Sequence, residues 1–536
     1  MQQRAEIDDV IGMELPSALD KVGVASMSAS SFDSTGGNGQ GGYRGGRRDR
    51  RAMRNWRPKP GDANADTLLD LPDLRARSRD LERSSPIATG AIATTTTNVI
   101  GDGLTLQAAI DAKALGLSPE QADEYEREQE REWALFGKRA DITGVQCFDE
   151  LQELAFRSAK QSGDVLLVRR YRKDPGDVYG TKVQVIEADR LCNPNYAADD
   201  DKIVGGVEVD EDGRHVAYHI AKKHPGSRRL GGNSWTRLPA RDDKGRTLAI
   251  HLFDRTRPEL TRGVPYLAPV IEHLKQISDY SDAEVTAAVV SGMFTVFITS
   301  PEDEQDNPVV GERGDANLGD NEVKLANGGV NSLAPGEKIE FANPARPNAN
   351  FDPFMQAFLR QVGVALELPF ELLIKHFTAS YSASRAALEM AWGFFRKQRS
   401  RFAWRVNQEV YGWMMDEAVA TGRLARPGYF ADPVIRDAWL GADWIGPSRA
   451  SLNPKMEAEA DEIDVRTGVK TREQVVIERT GGDVDKKIEQ LAREEKARKA
   501  AGLDQAPAAA KPGQPPGQKP DDDDDDGSND DDSEAA

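Results

Sequence analysis

Apolar residues along this chain change their spacing several times, and each change marks an element. Between Asp70 and Ala108 the pattern predicts two successive helices and a glycine turn into a strand, with Ile87, Ala91, Ile92 and Val99 on one helical face. Pro119 to Phe136 is a strongly charged helix. Phe148 to Ser162 is another, with Leu151, Leu154, Ala155 and Ser158 at helical spacing. The runs GDVLLVRRYR, KVQVIEADRL, GGVEVDEDGRHVAYHIAKKHPG and LAIHLF then read as strands separated by Gly/Asp turns. Asp210-Glu211-Asp212-Gly213 supplies a hairpin turn between two of them. Together these predict an α+β domain ending near Arg262.

From Tyr266 the period is helical again. Leu267, Ile271, Leu274, Ile277, Val285 and Ala288 keep the spacing, and Gly292 supplies the stop. The exposed face of this helix carries Glu272, Asp279, Asp282 and Glu284 against Lys275. An acidic Gly/Asn/Pro-rich insert follows from Ser300 to Asn350, with a β-segment pair expected around NEVKLANGGVNSLAPGEKIEF. A shorter helix then places Phe354, Phe358, Val362 and Leu366 on one face and stops at Pro369. Ala383 to Thr421 contains no proline, and its apolar stripe runs from Ala387 to Trp413. At 1.5 Å per residue that helix would reach roughly 58 Å, with Gly393 and Gly412 as candidate kinks. Charged helices fill Asn453 to Leu503, and the last stretch, ending DDDDDDGSNDDDSEAA, reads as disordered.

Composition narrows the class. The chain has 536 residues, of which 38% are hydrophobic, enough for real cores in about three or four domains. Its net charge of −19 does not suit a simple DNA clamp, because phosphate neutralisation needs clustered Lys and Arg. Cys147 and Cys192 have no metal-ligand spacing, which argues against a disulfide framework or a zinc ribbon. No signal-peptide core opens the chain, and the longest apolar-leaning run, Val285 to Ile298, is broken by Ser291, Gly292 and Thr295. A soluble intracellular protein with no membrane partner is the expectation. Residues 26–46 are Ser/Gly-rich and read as mobile. The basic patch RRDRRAMRNWRPK, Arg47 to Lys59, is either a solvated arm or a contact for nucleic acid or an acidic partner.

The search for chemistry returns no catalytic constellation. There is no GxxxxGK[ST] loop and no GxSxG elbow, and Gly101-Asp102-Gly103 is too short for a dinucleotide loop. Ser380, Ser382 and Ser384 near His376 lack an acid partner and read as a polar loop and helix cap. None of the six histidines makes HExxH; His215 and His219 lie four apart in a strand-like run. Asp522, Asp524, Asp526 and Gly527 match calcium-loop offsets, but Ser533 stands at the twelfth position and no helices flank it. No cofactor, metal or catalytic residue is assigned.

The order of elements resembles the portal proteins of tailed bacteriophages, specifically the lambda-type family. The resemblance is carried by LRARSRDLERSSPIATGAIATTTTNVIGDGL, VIEADRL, GVEVDEDGRHVAYHI with HPG, RPELTRGVPYLAPVIEHLKQISDYSDAE, LAPGEKIEF, SYSASRAAL and WIGPSRASLNPKMEAEA, over about residues 70 to 490. It implies an α+β, multi-domain subunit of a ring, typically of twelve copies, at one capsid vertex. Double-stranded DNA passes through such a ring without sequence recognition. A terminase docks first and head–tail connector proteins later, with major capsid and scaffold proteins around it. By this resemblance residues 1–61 are a flexible arm, 62–262 the wing, 263–292 and 351–371 the stem helices, and 293–350 the clip. Residues 372–381 are the tunnel loop, 382–452 the long helix with a following wing segment, 453–503 the crown and 504–536 the tail.

The same resemblance gives the candidate residues their roles. Lys375, His376, Phe377, Ser380 and Tyr381 belong to the tunnel loop. Glu272, Asp279, Asp282 and Glu284 line the channel. Arg396, Lys397, Arg399, Arg401 and Arg405 pair with acids across subunit interfaces. It places the protein in the virion, after assembly in the bacterial host cytoplasm. A non-ring adaptor or scaffold protein of the virion, which sizing would reveal, and a nuclease, which metal-dependent cleavage would reveal, are the competing readings.

Overall fold

A computed structural model describes residues 51–52, 55–228, 232–292, 296–299, 338–341, 350–377, 380–449, 453–480 and 484–501. The chain divides into two units, Met1–Gly61 and Asp62–Ala536. The described residues of the first are turns and irregular backbone; all regular structure below belongs to the second.

That unit opens with α1 (Leu71–Ser84) and α2 (Pro86–Val99). Pro86 at the first helical position and Ser85 at the N-cap separate them, the Ser85 hydroxyl accepting from the Ala88 amide. Strand β1 (Thr105–Ala108), the short α3 (Ala112–Leu115), α4 (Pro119–Gly137) and α5 (Phe148–Ser162) follow. The β region comprises β2 (Asp164–Tyr171), β3 (Thr181–Glu187), β4 (Ile203–Val204), β5 (Val207–Val209), β6 (His215–Ala221), β7 (Trp235–Pro239) and β8 (Ala249–Phe253). It forms two antiparallel sheets, ordered β3-β2-β8 and β4-β5-β6-β7.

Strand β2 shows why its sequence is a nearly unbroken apolar run. Val165 and Leu167 face the large helical core, while Leu166 and Val168 face a second cluster with Ile186, Val207 and Tyr218. Side chains alternate along a strand, so a strand covered on both sides needs apolar residues at every position. Where α5 hands over to β2, Gly163 lies at φ 91° against Gly263. A Cβ on Gly163 would come within 2.3 Å of the Gly263 carbonyl oxygen, so the backbones meet only as glycines.

Next come α6 (Ile271–Gly292), β9 (Val296–Thr299), β10 (Lys338–Phe341), α7 (Phe351–Ala365) and α8 (Phe370–Ile374). Strands β9 and β10 pair antiparallel, Val296 opposite Phe341. Of the β-segment pair expected around NEVKLANGGVNSLAPGEKIEF, only the KIEF end is described, and it pairs with β9 just after α6; residues 300–337 lie outside the described residues.

The long helix consists of α9 (Tyr381–Phe402), one π turn (Ala403–Asn407) and α10 (Gln408–Ala420). Gly393 and Gly412 keep helical backbone, so the irregularity falls at the π turn and not at either glycine. The α10 segment is buried nearly all round, with Val410, Tyr411, Trp413, Met414 and Met415 in the core. Its Glu417 carboxylate accepts from the Gly180 and Thr181 amides, both at 2.7 Å, which ties the helix to the start of β3. Helix α11 (Pro433–Trp439) and β11 (Ala442–Ile445) return to the first domain, β11 pairing with β1. Three charged helices, α12 (Pro454–Thr467), α13 (Arg472–Thr480) and α14 (Val484–Ala500), complete the described chain. No helix among the described residues is long and apolar enough to cross a membrane.

Candidate channel and assembly surfaces

Helices α6 and α7 pack through an aromatic seam. The Tyr280 ring lies 5.5 Å from Phe351 and 4.9 Å from Phe354, and Phe354 lies 4.6 Å from Phe358. Leu274, Ile277, Leu359 and Val362 bury the end of the pair nearer the domain core. With that face committed, the opposite face of α6 is solvent-exposed and carries Glu272, Lys275, Asp279 and Asp282. Steps of three, four and seven residues keep these four on one stripe. Lys275 pairs with Asp279, and this contact raises the lysine above its ordinary pKa. Glu284 does not join the stripe. It lies two residues past Asp282, about 200° around the helix, and is half-buried on the packed side. The expected four-acid face is corrected to three acids.

The chain turns sharply after α7. The Leu368 amide donates to the Gly363 carbonyl at 2.9 Å, and Glu367 takes φ 53°. The Tyr266 hydroxyl, buried and pushed well above its ordinary pKa by that burial, donates to the Leu366 carbonyl. Leu372 to Ile374, expected in a loop, are helical in α8, because Leu373 is drawn into the core. Lys375 ends that helix in the left-handed region, φ 55° and ψ 37°. Lys375, His376 and Phe377 are all exposed. Ser380 is the N-cap of α9, its hydroxyl accepting from the Ala383 amide at 3.4 Å, and Tyr381 opens the helix.

The basic cluster on α9 separates into two groups. Arg399 donates to the carbonyls of Val99, Asn98 and Pro447, and burial together with Arg396 lowers it to about 10. Arg401 pairs with Asp254, and Arg405 donates to the Phe253 carbonyl at 2.7 Å. Asp254 also receives the buried Lys160, whose Nζ lies 3.1 Å away. Burial alone would raise the Asp254 carboxyl, but Lys160 and Arg401 outweigh it and hold it below its ordinary range. Arg399, Arg401 and Arg405 therefore hold the long helix to its own domain, and the acid that Arg401 meets is Asp254 of the same chain. Arg396 and Lys397 remain exposed.

Two groups of residues come together that no catalytic or metal-ligand spacing announced, although Glu187, Asp189 and His224 lie in the stretches VIEADRL and HPG. Asp164 is fully buried and receives Arg75 at 2.9 Å, Arg262 at 2.5 Å and His251 at 3.2 Å. Burial would raise its carboxyl, yet the two arginines and His251 hold it well below its ordinary value. Glu187, Asp189 and His224 also converge, with Arg79 on both carboxylates. Both groups join residues far apart in the chain; only the unbroken apolar run after Asp164 hinted at deep burial there.

Comparisons with known proteins find relatives over most of the chain. Residues 49–399 match the family described as phage portal protein, lambda family. This chain belongs to that family. Portal protein B of Escherichia phage lambda is 24% identical over 513 residues, covering 91% of this chain and 94% of the relative. The portal protein of Escherichia phage N15 is 24% identical over 92% of this chain and 95% of its own length. A probable portal protein of Halomonas phage phiHAP-1 is 26% identical over 85% of the chain and 86% of its own. Among solved structures, a chain of the neck of a native gene transfer agent particle computed with C12 symmetry aligns at TM-score 0.42 and 14% identity. That alignment covers 77% of this chain and 99% of the other. The portal function follows from the family, and portal proteins are structural components of the phage particle.

Proposed function

We propose that the portal chain assembles as a closed ring, typically of twelve copies, at one vertex of the capsid, and that double-stranded DNA enters and leaves through its centre. The acidic stripe Glu272, Asp279 and Asp282 on α6 carries this reading, because it is the exposed side of a helix whose other side is committed to the stem seam. In the ring that stripe lines the bore. Phosphates meet like charge there, no counterions are released on contact, and the duplex stays hydrated and mobile. Lys375, at the exposed corner after α8, adds one positive ring at the tunnel loop.

The wing is built on 62–262 with α11 and β11, the clip on 293–350 and the crown on 453–503. The portal chain itself does no chemistry; a terminase docked on the ring powers packaging, and head–tail connector proteins replace it. Assembly in the host cytoplasm, with capsid and scaffold proteins around the ring, ends in the virion.

Negative-stain electron microscopy with mass determination on the purified full chain tests the ring. Rings with a central hole are expected; chains that remain single at micromolar concentration across salt conditions would favour the non-ring adaptor. Asp279→Lys with Asp282→Lys tests the bore. Rings should form normally, while DNA-filled particles fall about ten-fold because the duplex is now held.

A further inference from the structure

The ring reading leaves open which surfaces of neighbouring copies meet, and the inference here rests on that reading. A cyclic ring joins two different patches, one from each flank of the subunit, lying at the same height. The exposed face of the long helix is one candidate patch. Ala386, Met390, Gly393, Lys397, Ser400 and Trp404 follow one another at three- and four-residue steps, and all are exposed. Met390 is 78% and Trp404 74% exposed, so the two large apolar groups of this row are uncovered. Between them the face is low, since a Cβ on Gly393 would meet nothing within 4 Å. Trp404 stands on the π turn, a local irregularity that proteins tend to keep at working sites. Arg396 and Lys397 sit midway between the two apolar groups, left over after Arg399, Arg401 and Arg405 are used inside the chain.

Helix α12 presents the complement. Three of its acids are neutralised within the chain: Glu457 by Arg449 at 4.0 Å, Asp461 by Arg479 and Lys470, and Asp464 by Lys470 at 3.7 Å. Glu459 and Glu462 are exposed and have no such partner among the described residues. They lie between exposed Met456 and Ile463, with Ala460 beside them. Lys455 and Arg466 fall at the helix ends, so the centre of the face is acidic. One face reads apolar–basic–apolar and the other apolar–acidic–apolar. Met390 to Trp404 spans about 21 Å, as does the whole of α12, while the apolar pair Met456 and Ile463 stands about 11 Å apart inside that length. The two faces also share a level. Arg449, paired with both Glu389 and Glu457, pins the start of α12 beside the first half of α9.

We propose that α12 of one copy docks on the Met390–Trp404 face of the next, with Glu459 and Glu462 meeting Arg396 and Lys397 and with Trp404 as the apolar anchor. Buried aromatic groups ringed by polar contacts are the usual anchors of such interfaces.

The test is charge reversal and its rescue in the full-length chain, read as the fraction of rings by mass and by electron microscopy. Arg396→Glu with Lys397→Glu, and separately Glu459→Lys with Glu462→Lys, should each lower the ring fraction about ten-fold where the unmutated chain is half assembled. All four changes together should bring it back to within about two-fold of that chain. Loss through misfolding would not be rescued by further substitutions. Trp404→Ala should lower the ring fraction similarly while leaving the melting of the single chain unchanged, since the side chain is exposed there. Either reversal assembling like the unmutated chain, or the four-fold variant failing to assemble, overturns the proposal. An unmutated chain that forms no rings overturns the ring reading itself, and the control separates that result from the others.

Discussion

Asp164 is one carboxylate serving two buried arginines and an imidazole. Removing its charge leaves buried Arg262 without a carboxylate and Arg75 with only the more distant Asp189 at 3.6 Å, and breaking a buried pair in this way costs about 3–5 kcal/mol. Asp164→Asn is therefore expected to lower the melting temperature strongly, as calorimetry would show. Because the folded carboxyl lies below its unfolded value, its contribution is complete above about pH 4 and disappears only as the solution becomes more acid than that. A nearby histidine sets a different window. His215 stacks on Phe253, and burial, followed by the effect of His251, pushes it down to about 3. Its Nε2 is buried with no hydrogen-bond partner among the described residues. The unfolded chain binds that proton near pH 6.5, so the fold loses stability as pH falls below 6.5, roughly 2 kcal/mol by pH 5. His215→Phe should keep the stacking and flatten this loss, measured as the difference in melting temperature between pH 7 and pH 5.

At the scale of elements, the corner between α7 and α8 depends on Gly363. A Cβ there would come within 2.6 Å of the Leu368 carbonyl oxygen, an atom that cannot swing aside. Gly363→Ala is expected to cost about 1–3 kcal/mol and to speed hydrogen exchange across α7 and α8 before the rest of the portal subunit is affected. The sequence announced most long elements because each carries its own period. Leu151 and Ala155 mark α5, the apolar run marks β2, and the proline-free stretch after Ala383 marks the long helix. It was silent where an element is too short for a period to show. Helix α8 has five residues and β11 four, and β11 is specified by a partner far up the chain. The site was legible in the same measure. Charge and helical spacing predicted the acidic stripe on α6 apart from Glu284, whose phase only a packed partner could reveal. Arg396 and Arg399 look alike in sequence; only the fold shows that one is spent inside the chain and the other is not.

For the whole molecule, the first domain is closed by residues that follow the long helix. Trp439 meets Tyr125 at 5.2 Å, Trp444 meets Trp133 at 5.4 Å, and β11 completes β1. A portal chain ended after Ala420 loses all three and is expected to be recovered mainly as aggregate. One ended at Arg449 keeps them, and should be soluble with a cooperative melt while failing to form rings, because α12 is gone. Sedimentation and thermal melting of the two truncations would check this contrast.

The pairing of β1 with β11 also imposes a schedule. Thr105 and Ile445 are partners across 340 positions of chain. At roughly 5–20 residues per second, a ribosome needs about 17 to 70 seconds to deliver the second strand after the first has emerged. Through that interval the first domain lacks β11, and for most of it the core-filling α10 as well, so the edge of β1 and much of the aromatic core stay uncovered. Because β1 is only four residues long, it offers little edge for a neighbouring nascent chain to pair with during that wait.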